Sequence, residues 1–143
     1  MTTHPAILLP RGPGNLAKTG HGGLGRDGGI GMASKLRRLE TDAITSKIIR
    51  GAINVHRYLG PGMLEHTYEV CLDADLRSQG LHVERQVSVP VRYLDVELEC
   101  GYRIDMLVEG CVVVEVKAVA ALLPVHVSQV LRLAELNVGL LFN

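Results

Sequence analysis

Apolar residues from position 41 onwards recur first at the spacing of an amphipathic helix. Residues 41–59 carry apolar side chains three or four positions apart: Ile44, Ile48, Ala52, Val55 and Leu59. Thr41 or Asp42 is the N-cap that this pattern predicts, because either side chain can accept a hydrogen bond from the first helical amides. The Gly-Pro-Gly run at residues 60–62 is expected to end the helix.

A second helical pattern follows over residues 63–79. Its apolar face consists of Leu64, Tyr68, Cys71, Leu72 and Leu76. Gly80 stands where a glycine commonly ends a helix in the left-handed conformation. The first half of the chain therefore predicts two consecutive helices.

Strand patterns then take over until a third helix near the end. Residues 82–94 alternate through Val83, Val87, Val89 and Val91, and a turn is expected at Leu94 and Asp95. Two more apolar strands, VELECGYRIDMLV and CVVVEVKAV, are joined by a tight turn at Glu109 and Gly110. Pro124 can begin a helix that runs to about Leu136, and VGLLF forms a last strand. The order α-α-β-β-β-α-β predicts an α/β (α+β) fold, a mixed sheet flanked by helices.

Residues 1–33 differ from the rest of the chain. They hold nine of the 16 glycines, at positions 12–31, and they show neither a helical nor a strand period. Too little apolar surface is present to offset the entropy lost on ordering such a segment. We therefore expect a flexible Gly-rich extension at 1–33 and one domain at 34–143.

Composition restricts the classes of function only weakly. Hydrophobic residues make up 47% of the chain, aromatic residues 3%, and the formal net charge is zero. The charge gives no general attraction to a polyanion, and the few aromatics leave little for base stacking. No apolar run approaches the roughly 20 residues of a membrane span. Three cysteines without metal-type spacing suit reduced thiols, so we expect a cytoplasmic protein without membrane contact.

The stretch YRIDMLVEGCVVVEVKA, residues 102–118, places three ionisable groups in an apolar hairpin. Glu115 and Lys117 are two apart in a strand and so share a face, and pairing across the turn can bring Asp105 beside them. Burying three charges without compensation is unfavourable. Two carboxylates become favourable neighbours when Mg²⁺ lies between them, since this ion is commonly held by one or two carboxylates with waters or phosphate oxygens.

Asp105, nine intervening residues and then Glu115-Val116-Lys117 resemble the signature of the PD-(D/E)xK nuclease superfamily. The order of helices and strands is similar to that superfamily's restriction-endonuclease-like core. Ile104 occupies the place where a proline usually precedes the aspartate. The resemblance implies hydrolysis of phosphodiester bonds with Mg²⁺ or Mn²⁺.

A second motif resembles the GxxExxY family within that superfamily. Gly62, Glu65 and Tyr68 match its name-giving pattern, and the resemblance covers roughly residues 40–143. It implies that Glu65 joins Asp105 and Glu115 at the metal.

The same resemblance assigns the remaining site residues and the partners. Lys117 would position or activate the attacking water, and Gln129 matches a glutamine that lies near the site in relatives. Leu133 stands where many relatives have a tyrosine. Nucleic acid, DNA more than RNA, is the expected substrate, and the class also suggests a homodimer or a protein partner.

Other interpretations of these residues and of the domain remain open. Lys117 could form a structural ion pair, and Tyr68 could be a core residue with a satisfied hydroxyl. Glu69 is expected to be solvated. Arg85 and Arg103 could contact phosphate, although lone arginines on strands are usually solvated. The whole domain could be a non-catalytic module for binding nucleic acid or protein, or an enzyme acting on a small phosphate compound.

Overall fold

The computed structural model describes residues 7–9, 28–133 and 138–143. The elements are β1 (Ile7–Leu9), α1 (Gly28–Leu59), α2 (Glu65–Ser78), β2 (Val83–Tyr93), β3 (Val96–Val108), β4 (Val112–Val116), α3 (Pro124–Leu133) and β5 (Val138–Phe142). They form a five-stranded sheet in the order β1-β5-β4-β3-β2. β4 and β5 are parallel and the other neighbours antiparallel. The predicted mixed sheet and the predicted order of helices and strands are confirmed, with β1 in addition.

The sheet is covered on both faces, which explains why its central strand is apolar without alternation. All five residues of β4 are buried. One core cluster joins β4 to α1 and α2 and includes Ile48, Leu76 and Met106. A second joins the opposite face to α3 and includes Val113 and Val130. β4 reaches the parallel β5 through α3, the crossover that a parallel pair requires.

The first helix begins earlier than its apolar period suggests. α1 starts at Gly28, and Thr41 lies inside it as a buried residue. The prediction that Thr41 or Asp42 is the N-cap is therefore wrong. Thr41 Oγ1 instead donates a hydrogen bond to the carbonyl of Arg37 (2.8 Å), the bond that a threonine makes within a helix. Residues 34–40 are exposed, so no apolar stripe marked this part of the helix.

The second helix begins at Glu65, one position after its N-cap residue Leu64. Leu64 has extended backbone angles and is 77% exposed, so its predicted place on the apolar face is wrong. Leu72 and Leu76 are buried as predicted. The Tyr68 hydroxyl donates to the carbonyl of Gly60, which supports its interpretation as a packed residue with a satisfied hydroxyl.

Parts of the expected extension belong to regular elements, since β1 pairs with β5 and α1 begins at Gly28. Residues 1–6 and 10–27 lie outside the described residues, so the flexible extension at 1–33 stays a prediction. The last turn expected for α3, up to Leu136, also lies partly outside them. No helix in the described ranges is long and apolar enough to span a membrane.

β2 and β3 form a long two-stranded ribbon, 11 and 13 residues against the five of β4. The ladder shifts register between Val89 and Val91. At this irregularity the strands approach so closely that a Cβ atom on Gly101 would overlap Val91 Cγ2 and lie 3.2 Å from the Val91 backbone nitrogen. Gly101 is therefore required by the close approach of β2 and β3.

We expect Gly101→Ala to lower the free energy of unfolding by about 1–3 kcal/mol, because the added methyl group must push β2 away. Urea denaturation followed by circular dichroism measures the change. Leu98→Ala, on the same ribbon but 55% exposed, is the matched control and should change the free energy by no more than about 0.5 kcal/mol. Equal stability of Gly101→Ala and wild type would contradict the close approach.

Candidate active site

The candidate site lies where β3 and β4 stop pairing through their backbones. The ladder between them runs from Val108↔Val112 to Met106↔Val114 and ends there. In the next position the Val116 amide donates to Asp105 Oδ2 (2.9 Å) instead of to a backbone carbonyl. The Asp105 amide points to Glu115 Oε2 at a longer 3.5 Å. Carboxylate oxygens thus replace backbone carbonyls as hydrogen-bond acceptors at the point where the strands separate.

Lys117 and Glu65 complete a cluster around this separation. Lys117 Nζ lies 3.1 Å from Glu115 Oε1, and the two side chains are only 17% and 2% exposed. The Lys117 amide donates to the carbonyl of Phe142 (2.8 Å), which fixes the strand end to β5. Glu65, in the first turn of α2, accepts a hydrogen bond from the amide of Ala118 (2.8 Å). The helix is therefore tied to the chain immediately after the lysine.

Burial and mutual repulsion shift the protonation of both carboxylates. Burial raises the pKa of Asp105 above its ordinary value, although the hydrogen bond from Val116 and the charge of Lys117 lower it in part. Burial raises the pKa of Glu115 too, and the charge of Asp105 raises it further. Glu69 and Glu65 add smaller repulsions on Asp105. Two close carboxylates therefore resist being ionised together.

The negative charges of the neighbouring carboxylates keep the side chain of Lys117 protonated. Burial alone would lower the pKa of Lys117, but Glu115, through its charge and a hydrogen bond, raises it, as do the charges of Asp105 and Glu65. Lys117 is consequently an ammonium ion at neutral pH, a donor of hydrogen bonds rather than a base.

An open pocket exposes this cluster to solvent. Its wall is formed by Gly101, Tyr102, Arg103, Asp105, Glu115, Lys117 and Gln129. Of the residues predicted for the site, four lie on this wall: Asp105, Glu115, Lys117 and Gln129. Glu65 does not, and it acts on the site through Ala118 and through its charge. Arg103, two residues before Asp105 on β3, brings a second cation to the pocket.

The donor set fits a hard divalent cation in one specific form. Among the described residues no group of three or more His, Cys, Asp or Glu side chains is arranged to hold a metal ion. Asp105 and Glu115 provide two carboxylates on an open pocket, and Mg²⁺ commonly takes one or two carboxylates and completes its shell with waters and phosphate oxygens. The fit therefore rests on this pair, with Glu65 as a further nearby negative charge.

Near the candidate site, the prediction for Glu69 is wrong. It was expected to be solvated, yet it is 6% exposed, and its Oε2 accepts from Gln86 Nε2 (2.8 Å) and lies 3.4 Å from Arg85 Nη2. Arg85 is likewise not a freely solvated arginine, since its side chain is 25% exposed. The sequence carried one signal: Glu69 follows Glu65 by four residues, so both lie on the same face of α2.

Comparisons with known proteins agree with this geometry at the level of the superfamily. A family model described as the PD-(D/E)XK nuclease superfamily matches residues 42–143, well over half of the chain. No curated protein and no solved structure gave a match. The matched range contains the parting strands, the paired carboxylates and the lysine that follows them. This chain belongs to the PD-(D/E)XK nuclease superfamily.

Proposed function

We propose that this protein is a metal-dependent nuclease that hydrolyses phosphodiester bonds in nucleic acid, with Mg²⁺ or Mn²⁺ as the ion and DNA rather than RNA as substrate. The observation that carries the proposal is the cluster of Asp105, Glu115 and Lys117 on the wall of an open pocket. Three charged groups that are partly or fully buried in an apolar hairpin are unfavourable unless they compensate one another or bind an ion. Membership of the nuclease superfamily makes a phosphodiester the ligand to test first.

The two carboxylates have the chemistry to hold the metal. Asp105 and Glu115 would be its direct ligands, and Glu65 contributes negative charge from the start of α2. When bound, the metal would act as a Lewis acid on the phosphate and stabilise the charge that develops there. Binding also relieves the repulsion between the carboxylates, which burial in the metal-free protein makes unfavourable.

The other residues of the pocket suit a water molecule and a phosphate. Protonated Lys117, held by Glu115, can donate a hydrogen bond that orients the attacking water or stabilises charge on the phosphate. Gln129 on α3 can fix the water or the substrate through its amide. Arg103 is exposed at the pocket and can form paired hydrogen bonds with a phosphate group next to the bond that is cut.

The finer parts of the proposal rest on the sequence resemblance. Membership of the GxxExxY family within the superfamily, the preference for DNA, and a homodimer or protein partner all stay predictions. A non-catalytic interaction module remains the competing function, and it differs from a nuclease in having no need of a divalent cation. The first experiment is therefore chosen to separate these two.

Calorimetric titration of Mn²⁺ into the full-length protein should give about one site per chain. The double variant Asp105→Asn/Glu115→Gln should lose this site, because it removes both carboxylate ligands. Both carboxyl groups must be deprotonated to bind, and the pKa of each is raised. Mn²⁺ affinity should therefore decrease as the pH falls, beginning above the ordinary carboxyl values of 3.8 and 4.5.

The matched control for the titration is Glu40→Gln/Asp42→Asn, which makes the same change of charge at exposed positions of α1. It should bind Mn²⁺ as the wild type does. If folded wild-type protein binds no Mn²⁺, the charges of the hairpin only pair with one another, and the interaction module replaces the nuclease.

Lys117→Met should reduce the rate of cleavage of a DNA substrate by about 100-fold or more while Mn²⁺ still binds. Methionine keeps the length of the side chain but cannot donate a hydrogen bond to water or phosphate. Single-turnover cleavage of a mixed-sequence DNA, with an RNA of the same sequence alongside, measures the loss. Lys47→Met, exposed on α1, is the control; a Lys117→Met protein that cleaves at the wild-type rate would exclude a catalytic role for this residue.

Asp105→Asn should raise the thermal stability of the metal-free protein at pH 7. Folding raises the pKa of Asp105 above 3.8, so the folded state binds the proton more tightly than the unfolded state. Stability is therefore lost as the pH rises from the ordinary pKa of Asp105 through the raised one. Asparagine removes this charge and still accepts the hydrogen bond from Val116.

Differential scanning calorimetry in EDTA measures the stability of this variant. The midpoint of Asp105→Asn should exceed that of wild type at pH 7, and the difference should shrink as the pH is lowered towards 4. Asp42→Asn, exposed on α1, should show no such dependence. A lower midpoint for Asp105→Asn at every pH would mean that the ion-pair attraction exceeds the penalty of burial.

A further inference from the structure

At the level of Asp105, side chains of β2 and β3 that a regular strand would point to one core point to the other core instead. Residues two apart in a regular strand point to the same side of a sheet. Along β3, however, Met106 belongs to the core under α1 and α2, whereas Ile104 belongs to the core under α3. Along β2, Val83 belongs to the first core and Val87 to the second. Both strands therefore reverse their faces at the same level.

Gln86 is the residue of β2 that stands opposite Asp105 at this reversal. The ladder pairs Arg85 with Met106 and Val87 with Ile104, which leaves Gln86 and Asp105 between them. Gln86 has a φ of 54°, in the left-handed region that a residue with a side chain adopts rarely. One left-handed residue in a strand rotates the following side chains to the other face. The backbone conformation of Gln86 therefore produces the reversal.

A buried carboxylate, that of Glu69, holds Gln86 in this conformation. Glu69 Oε2 accepts a hydrogen bond of 2.8 Å from the side-chain amide of Gln86. Arg85 is a poorer partner, because its Nη2 lies 3.4 Å away, and its buried Nε has no hydrogen-bond partner in the part of the chain that the structure describes. The well-formed bond of Glu69 is thus the one to Gln86. An unusual backbone angle persists only where surrounding contacts fix it.

We propose that Glu69 is a positioning residue for Asp105: by holding Gln86 in its left-handed conformation, it fixes the reversal of the ribbon that sets the Asp105 carboxylate against the Val116 amide and beside Glu115. Its meaning for catalysis rests on the proposed function, since Asp105 is there a metal ligand. Glu69 itself belongs to no wall of the pocket and touches none of the reacting groups.

The buried position and the charge of Glu69 argue against a purely structural role. An apolar residue would fill a buried position on α2 without the unfavourable burial of a carboxylate. The negative charge also adds repulsion on Asp105. Arg85 offsets only part of this burial, because its ion pair with Glu69 is long at 3.4 Å, and the shorter bond of Glu69 to the residue opposite Asp105 is explained by the geometry that it maintains.

The test compares Glu69→Ala, Gln86→Met and the double variant with wild type. Gln86→Met keeps a side chain that disfavours the left-handed backbone but removes the amide that Glu69 holds, and it changes an exposed residue, so it should fold. Two properties are measured in the full-length protein. The first is hydrogen exchange of the Val116 amide without metal, which reports the bond to Asp105. The second is Mn²⁺ affinity by calorimetry.

Each single variant should lower both the protection of the Val116 amide relative to the other β4 amides and the Mn²⁺ affinity by about tenfold. The double variant should lose no more than either one, because both remove the same contact. Glu69→Gln keeps an oxygen that can accept from Gln86, so it should restore most of both properties.

Two controls separate positioning from a general loss of stability. Leu76→Val, in the buried face of the same helix, should lower the midpoint of thermal unfolding but leave Mn²⁺ affinity and the relative protection of Val116 unchanged. Glu84→Gln, exposed on β2, should change neither.

Unchanged protection of Val116 in Gln86→Met and in a folded Glu69→Ala would overturn the proposal. Additive losses in the double variant would overturn it as well, because the two residues would then act separately. If wild type binds no Mn²⁺, the proposed nuclease fails, and the exchange of the Val116 amide alone still decides whether Glu69 positions Asp105.

Discussion

The hydrogen bond from the Val116 amide to the Asp105 carboxylate is the interaction on which the rest of the site depends. An antiparallel pair of strands normally satisfies its amides with carbonyls, and a pair that separates leaves buried amides without acceptors. Here a side chain supplies the acceptor, so β3 can leave β4 without that penalty. The separation makes room for a pocket, and the group that permits it is one of the two carboxylates on the pocket wall. One residue therefore both replaces the ladder and lines the pocket.

The surrounding elements hold the two sides of this separation apart and in register. β4 continues along β5, with Glu115 paired to Leu141, so its direction is fixed by the parallel side of the sheet. β3 instead follows β2, and both turn over together at Gln86. α2 contacts both sides, since Glu65 accepts from the amide of Ala118 beyond β4 and Glu69 accepts from Gln86 on β2. Two carboxylates one turn apart on one helix thus bond to both sides of this separation, one to the chain after β4 and one to β2, the partner of β3.

Periodicity and spacing predicted those features of the fold that depend on the local sequence pattern. The buried faces of the two helices, with Ile48 on α1 and Leu76 on α2, follow from rules that act over a few residues. The tight turn at Glu109 and Gly110 and the order of helices and strands follow from such rules too. The grouping of Asp105 with Glu115 and Lys117 followed because the turn fixes which positions oppose one another. The start of α1 was not predicted, because an exposed stretch has no apolar stripe to mark it.

The features that the pattern missed depend on contacts between distant segments. Glutamine has no particular preference for the left-handed conformation, so nothing local in the sequence marks Gln86 as the point of reversal. The burial of Glu69 depends on the approach of β2 to α2, 17 positions along the chain from Glu69 to Gln86. Regular alternation would also have assigned Val83 and Val87 to one face. Each of these three errors arises where tertiary structure overrides a local rule, and each lies beside the candidate site.

This concentration of irregularities has a physical explanation. A sheet with regular alternation and a complete ladder satisfies its own backbone and leaves no reason for a carboxylate to face another carboxylate. To bring Asp105 and Glu115 together, the chain must end a ladder, reverse two strands and bury like charges, and each of these is unfavourable by itself. Lys117 offsets part of the repulsion, and the remainder is what a divalent cation would neutralise. Under the proposed function, the charges within the apolar hairpin form a site that its ligand completes, since the protein alone balances them only in part.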